Sequence, residues 1–302
     1  MKIVVTGATG LVGAALVAVL AREGHTVCRL VRPSTKSTGE TVRTFDVPWD
    51  PETGSLGAAA VGAEAAVNLG GASIVGGRWT NARKSLLRTS RVNATRALVA
   101  ALGKMNAKPS VLVSASAVGF YGNRADETLT EQSAPGNNFL ASLAQDWETE
   151  ALRAEEFGTR VVLARLGIIL ASDGGALPEM MLPFKFGVGG RIGDGKQWMS
   201  WVTLEDVVAI LRLALIKSEL RGPINVVAPE PVRNAEFVKE LAKTMHRPAI
   251  FPAPAFALRL AMGEMADALL LSSQRAVPQK LASVGYSFVS PNLRDALETI
   301  LT

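Results

Sequence analysis

Thirteen residues at the start of the chain, Met1-Lys-Ile-Val-Val-Thr-Gly-Ala-Thr-Gly-Leu-Val-Gly13, restrict its fold more than any other stretch. Ile3, Val4 and Val5 form a continuous β-branched run, the pattern of a strand covered on both faces of a parallel sheet. Gly7 ends that run. Leu11, Val12, Ala15, Leu16, Val19 and Leu20 then recur at helical spacing, and Gly24 is placed to cap the helix. Strand, glycine turn and helix together suit a diphosphate, because glycines let backbone N–H groups approach it and the helix N-terminus favours negative charge. Gly7, Thr9, Gly10, Leu11, Val12 and Gly13 are therefore expected to bind a dinucleotide. The competing reading is a glycine-rich turn with no ligand.

The second expected strand, His25 to Leu30, reports on which dinucleotide. An acidic residue at its end would accept hydrogen bonds from a free ribose and repel a 2′-phosphate. None is present; Arg29 and Arg32 flank the strand end, with Ser34, Thr35 and Lys36 following. This pattern favours NADP(H), with ordinary surface arginines as the alternative. After the third strand, Thr44 to Val47, Trp49 and Asp50 can edge the adenine, or Asp50 can serve the turn that ends at Gly54. The fourth strand, Ala65 to Leu69, runs into Leu69, Gly70 and Gly71, small enough for a ligand to lie against backbone.

The two histidines and the single cysteine, Cys28, exclude an intramolecular disulfide and argue against a metal site. No apolar run reaches the roughly 18 uncharged residues of a membrane span. With a strand at the N-terminus no signal peptide is expected, and the cytoplasm is the expected compartment. The net charge is +5, and Arg83, Lys84, Arg88, Arg91 and Arg96 share one expected helix, Asn81 to Leu102. A solvated basic face is one reading of them; an anionic nucleotide substrate near the helix start is the other. No basic and aromatic stacking surface points to nucleic acid, so the expected partner is a small molecule.

Val111 to Ser114 reads as the fifth strand, continuing as Ser114-Ala-Ser-Ala-Val-Gly-Phe-Tyr-Gly122 into the expected cleft. Ser114 is expected near the cofactor, and Ser116 and Tyr121 are the candidate catalytic groups. A backbone-bonded hydroxyl and a packed ring are their alternative roles.

Thr6-Gly-Ala-Thr-Gly-Leu-Val-Gly13, Asn68-Leu-Gly-Gly71 and Ser114-Ala-Ser116 followed by Tyr121-Gly122 resemble the signatures of the extended short-chain dehydrogenase/reductase superfamily. Arg78-Trp79, Ser90-Arg91-Val92, Trp147-Glu148, Gly174-Gly175-Ala176-Leu177 and Gln197-Trp-Met-Ser-Trp201 are similar to its atypical "epimerase family protein" branch, over essentially the whole chain. The resemblance implies a Rossmann fold with NADP(H) and no settled substrate. It also exposes a departure. Active members of the superfamily use a Tyr-x-x-x-Lys pair beside a Ser or Thr. Ser116 matches the hydroxyl, but the pair falls on Phe139 and Leu143, or on Leu140 and Ala144 one register later. A missing general acid/base costs a factor on the order of 10²–10⁴.

Arg160 to Arg165 is the sixth strand, and Gly174 to Gly195 is rich enough in glycine to fold over a ligand, with Lys185, Arg191, Lys196, Gln197 and Trp198 as clamps. Trp198 or Trp201 can stack on a base, or Trp201 can pack in the core. The expected architecture is α/β, a doubly wound parallel Rossmann sheet with a small C-terminal substrate-side lobe. Residues 1–170 form the core and 203–228 return to it, while 171–202 and 229–302 supply the cover and the lobe. Two functions compete: an NADP(H)-dependent oxidoreductase or epimerase with a modified acid/base set, and a non-catalytic NADP(H)-binding regulatory or redox-sensing protein.

Overall fold

The computed structural model describes residues 1–32, 41–51, 54–75 and 77–301. β1 (Lys2–Thr6) lies inside an eight-stranded sheet, and α1 (Leu11–Arg22) returns the chain to β2 (Thr26–Val31) beside it. β3 (Thr44–Asp50) extends that side in parallel, and β4 (Ser55–Leu56) closes it antiparallel. β5 (Ala65–Asn68) then crosses to the opposite side of β1. A long helical path follows, made of α2 (Asn81–Arg88), a π turn at Thr89–Asn93 and α3 (Ala94–Gly103). It leads to β6 (Val111–Ala117) alongside β5.

Beyond β6 come β7 (Thr128–Leu129), α4 (Phe139–Leu152) and β8 (Arg160–Leu166), which pairs with β6. β9 (Ile168–Leu170), α5 (Leu177–Lys185), β10 (Trp198–Met199) and β11 (Trp201–Thr203) form the next stretch. α6 (Leu204–Ile216) brings the chain back to the sheet as β12 (Gly222–Val226), parallel to β8. The last part holds β13 (Val232–Arg233), α7 (Asn234–Thr244), α8 (Ala255–Met262), β14 (Arg275–Ala276), α9 (Gln279–Ser283) and α10 (Leu293–Leu301).

The sheet order is β12-β8-β6-β5-β1-β2-β3-β4, with only β4 antiparallel. The chain winds outward from β1 in both directions, so the switch point lies between β1 and β5, where ligands of open α/β sheets bind. Both sheet faces are covered, as the apolar run in β1 predicts. Ile3, Val5, Val113 and Val162 pack against Leu16, Leu20, Val207 and Leu211 of α1 and α6. Val4, Leu112 and Leu163 pack on the other face with Leu98, Leu102 and Ala151 of α3 and α4.

Two helical paths are interrupted. The path through residues 81–103 contains the π turn, whose extra residue changes the inward face and buries Arg91 and Val92. The apolar segment from 253 to 271 breaks at Gly263, φ +63°, into α8 and a second π turn at Ala266–Leu270. A further cluster joins Trp201, Phe184, Phe237, Leu241 and Leu297 from α5, α7, α10 and β11. Asp206 pins the C-terminal segment to α6: its buried carboxylate accepts from Thr203 Oγ1 (3.0 Å), Tyr286 Oη (2.8 Å), Val289 N (2.9 Å) and Ser290 N (3.1 Å). Burial, reinforced by the bond to Asp206, pushes the Tyr286 phenol far above its ordinary range.

Candidate functional site

The glycine turn has one closed side and one open side. Gly7 has φ +65°, and a Cβ there would stand 2.6 Å from the Leu69 carbonyl carbon, so the turn is wedged against the end of β5. A Cβ on Gly13 would collide with the Gly7 carbonyl, which makes glycine obligatory for packing α1 onto β1. Gly10 differs: among the described residues, the only atom within 4 Å of a Cβ there would be the Gly7 oxygen, at 3.4 Å, and Thr9 and Gly10 are exposed. Gly10 is also the N-cap of α1, with no side-chain cap and no acidic residue in the first turn. The N–H groups at Leu11 and Val12 thus head an uncapped helix facing the open side, the arrangement an anion requires. Gly174 and Gly175 lean on the Leu11 side chain, bringing the glycine-rich segment over this turn.

The threonine before the turn locks β1 to β5. Thr6 Oγ1 donates to Asn68 Oδ1 (2.7 Å) and accepts from Leu69 N and Gly70 N, each at 3.1 Å. Asn68 Nδ2 donates in turn to Thr95 Oγ1 (2.8 Å) and Ser114 Oγ (3.1 Å). Ser114, expected near the cofactor, is fully buried in this network. Strand alternation turns its hydroxyl toward α3.

At the end of β2 the two arginines separate. Arg29 sits opposite Asp46 in the β2–β3 register, with Nε 2.8 Å from Asp46 Oδ1, and is buried. The neighbouring strand thus supplies Arg29 with a counter-charge. Arg32 follows β2 and is exposed. Ser34, Thr35 and Lys36 lie outside the described residues. Trp49 is buried in the core, and the Asp50 backbone carbonyl accepts from Gly54 N (3.0 Å).

At the ends of β6 and β8 a buried polar network replaces the expected acid/base set. Ser116 is 2% exposed and donates to Glu148 Oε1 (2.6 Å). Glu148 is gripped by Arg165 through Nε to Oε1 and Nη2 to Oε2, both 2.8 Å. Arg165 Nη1 donates to Tyr121 Oη (3.0 Å), which donates to Asn225 Oδ1 (2.6 Å). Arg165 also lies 3.5 Å from the Phe120 ring centroid. Burial works to lower the Arg165 pKa, but its bonds to Glu148 prevail and hold the guanidinium charged. Burial raises the Tyr121 phenol despite the nearby Arg165 charge, opposite to the direction proton transfer at neutral pH needs. Tyr121, a candidate catalytic group, has no exposed surface, and both its hydrogen bonds are to protein. The proton of Ser116 is likewise committed inward, to Glu148.

A cavity of about 190 Å³ opens beside this network. Leu140, Leu143 and Ala144, three of the four positions where the Tyr-x-x-x-Lys pair would fall, line it. Leu166, Met180 and Leu269 add further apolar wall, and Arg91, Ser200, Asn234 and Ser272 are among its polar groups. Trp198 stands at the same cavity, held by Asp126, which accepts from its Nε1 (2.8 Å), and by Arg233 and Arg275 at 4.7 and 4.5 Å from its ring. Trp201 is core, and Gln197 ties Ile192 O to Leu270 O, so neither is a clamp.

The basic helix also resolves. Lys84 pairs with Glu264, Arg88 with Asp146 and Arg96 with Glu150, while Arg83 donates to the Ser73 carbonyl. Arg91 is buried instead and lines the cavity, contrary to the solvated-face reading. A Cβ on Gly71 would stand 3.0 Å from the Arg91 Cζ, so Gly71 is the seat of this arginine. No periodicity signal could have shown this, because the π turn breaks the helical register.

The NAD dependent epimerase/dehydratase family model matches residues 3–227, and a domain of unknown function, DUF1731, matches residues 253–300. An epimerase family protein of Mycobacterium bovis is 41% identical over 296 residues, 98% of this chain and 96% of that protein. The crystal structure of human epimerase family protein SDR39U1 with NADPH superposes with a TM-score of 0.86 at 30% identity, covering 99% of both chains. The fold is shared at 21% identity by MoeE5 in complex with UDP-glucuronic acid and NAD, TM-score 0.78, over 99% of this chain and 97% of that one. With its glycine turn, its switch-point cleft and these matches along its length, the chain belongs to the NAD dependent epimerase/dehydratase family, in the branch of epimerase family proteins.

Proposed function

We propose that this protein binds NADP(H) along the turn Gly7 to Gly13 and acts on a small molecule in the adjoining cavity without the Tyr-x-x-x-Lys pair of its superfamily. The carrying observation is the open side of the turn: Thr9 and Gly10 exposed, α1 uncapped, and room for a diphosphate where Gly10 has no side chain. Leu69 and Gly70 supply backbone at the facing strand end, and Gly71 contributes by seating Arg91. Arg32, exposed after β2 with no acidic residue at the strand end, is the proposed 2′-phosphate contact. SDR39U1 with NADPH supports this preference, although MoeE5 carries NAD. A bound nicotinamide would supply hydride exchange; the chain would supply alignment and an apolar wall that excludes water.

Titration of NADPH and NADH tests the cofactor. Wild type should prefer NADPH, and Arg32→Ala should lose roughly 10- to 150-fold in NADPH affinity with little change for NADH, the worth of one charge-assisted contact. Equal affinities in wild type, or an unselective loss in the variant, would refute the assignment.

A second reading, a non-catalytic NADP(H)-binding sensor, is favoured by the internal engagement of both Ser116 and Tyr121. A panel of nucleotide sugars, aldehydes and ketones, followed by reduced-nicotinamide absorbance, separates the two. Turnover that falls in Ser116→Ala supports the enzyme, and its absence throughout supports the sensor.

A further inference from the structure

Two polar groups of the cavity have donors that the protein leaves unused. Arg91 projects from the π turn and is 9% exposed. Its guanidinium donates to Ala72 O (2.9 Å) and more distantly to Leu87 O (3.4 Å), and it stacks 5.4 Å from the Trp147 ring centroid. No carboxylate pairs with it among the described residues, although Lys84, Arg88 and Arg96 on the same helical path all have one. Two carbonyls occupy part of a five-donor fork. Burial and the charge of Arg83 pull Arg91 down to about 10, which still leaves it protonated at neutral pH. Ser272 is the second group. It lines the same cavity, is 9% exposed, and its buried Oγ has no hydrogen-bond partner among the described residues.

A buried cation without a counter-ion and a buried hydroxyl without a partner are both costly, and native interiors seldom leave either. Their cost is offset when a ligand supplies the missing acceptors. Of the other polar side chains, Ser200 Oγ donates to Gln274 O and the Asn234 amide holds Ile192 N and Met199 Sδ, while the Gln274 side chain adds a neutral amide to the lining. The remaining wall is largely aliphatic, and about 190 Å³ is below the roughly 300–1,000 Å³ of pockets that enclose drug-sized ligands.

We propose that this cavity binds a compact organic monoanion, an apolar body bearing one carboxylate held by Arg91, with Ser272 Oγ as a further polar contact. This deepens the proposed function by naming the ligand class at the same site, and it rests on that reading only for the ligand's place beside a cofactor. A planar carboxylate matches the arginine fork. The aliphatic wall favours a hydrocarbon body over a polyhydroxylated sugar, whose hydroxyls would lose water without regaining partners.

The test is calorimetric titration with hexanoate, with its uncharged counterpart hexanamide, and with inorganic phosphate, each with and without NADPH. Hexanoate should bind at least about 10-fold more tightly than hexanamide and phosphate. Arg91→Met should reduce hexanoate affinity roughly 10- to 150-fold and leave hexanamide unchanged, with Arg91→Lys intermediate. Ser272→Ala should cost about 2- to 12-fold. Equal binding of hexanoate and hexanamide, tighter binding of phosphate, no binding of hexanoate under either condition, or wild-type hexanoate affinity in folded Arg91→Met would each overturn the proposal. If Arg91→Met does not fold, the wild-type comparison and Ser272→Ala decide. Failure of NADPH to bind would sink the cofactor reading alone, because the arm without NADPH still tests the anion site.

Discussion

The turn after β1 and the corner at the ends of β6 and β8 lie on the same carboxyl edge of the sheet but expose opposite things. At the turn side chains are withheld: Gly10 leaves backbone open, and Gly7 and Gly13 are filled by neighbouring backbone. At the corner hydroxyls and charges are plentiful, yet Ser116, Glu148, Arg165, Tyr121 and Asn225 satisfy one another in the interior. A glycine's lack of a side chain can be read directly from sequence. A hydroxyl's availability cannot, since it depends on which side of the strand faces protein and on what waits there. The fold persists at both places, whereas the hydroxyls of Ser116 and Tyr121 turn inward at one.

The sharpest way to break this comparison uses two glycines of the same turn. Gly13→Val places Cβ inside the Gly7 carbonyl, and backbone cannot yield as a flexible side chain does, so its cost should exceed the about 1–3 kcal/mol typical of overpacking. We expect no cooperatively folded chain. In Gly10→Val the new Cβ meets one atom of the described residues, at 3.4 Å, so the variant should fold, while abolishing NADPH binding because the valine fills the diphosphate's place. Thermal unfolding and NADPH titration of both variants read the two outcomes. A folded Gly10→Val with wild-type affinity would move the diphosphate elsewhere.

The corner is tested next. Glu148→Ala leaves Arg165, 4% exposed, as a buried cation without its carboxylate, and should destabilise by about 3–5 kcal/mol in urea unfolding. Cofactor affinity should change little, since none of the hydrogen bonds of this pair reaches the glycine turn. A loss below about 1 kcal/mol would mean that water reaches Arg165 and that the corner is more open than its hydrogen bonds imply.

The parallel core of the sheet was legible because β1, β5 and β6 begin as short apolar runs bounded by turn residues, and because the glycine turn fixes where the winding starts; the two-residue β4 was not read. Within the expected returning segment 203–228, β12 (Gly222–Val226) pairs with β8. What stayed hidden depends on register. Arg29 resembles a phosphate ligand until Asp46 appears opposite it on β3. Arg91 resembles one member of a solvated stripe until the π turn rotates it inward. Ser116 and Tyr121 could be placed at the right strand end, but Glu148, Arg165 and Asn225, which capture them, lie 32, 44 and 104 residues away from their respective partners.

The smallest expected effect, at Tyr121, separates a structural phenol from a chemical one. Tyr121→Phe keeps the ring and its edge contact with Phe120 but removes the donor to Asn225 Oδ1 and the acceptor for Arg165 Nη1. The loss should be about 1–3 kcal/mol, the usual cost of leaving a buried polar partner unsatisfied. Its pH dependence is more telling. Burial raises the folded-state pKa of Tyr121 above the unfolded value of about 10. The unfolded chain therefore gives up this proton first, and the associated stability is complete below about pH 10 and falls as pH rises toward the folded value. Phenylalanine has no proton to lose, so the stability gap between wild type and Tyr121→Phe should be constant near neutrality and narrow above about pH 10. Tyr286, also raised, contributes equally to both proteins and drops out of the difference. Urea unfolding across that range measures the gap. A gap that does not narrow would show that the phenol ionises as readily in the folded protein as in the unfolded chain, and would return Tyr121 to consideration as a proton carrier.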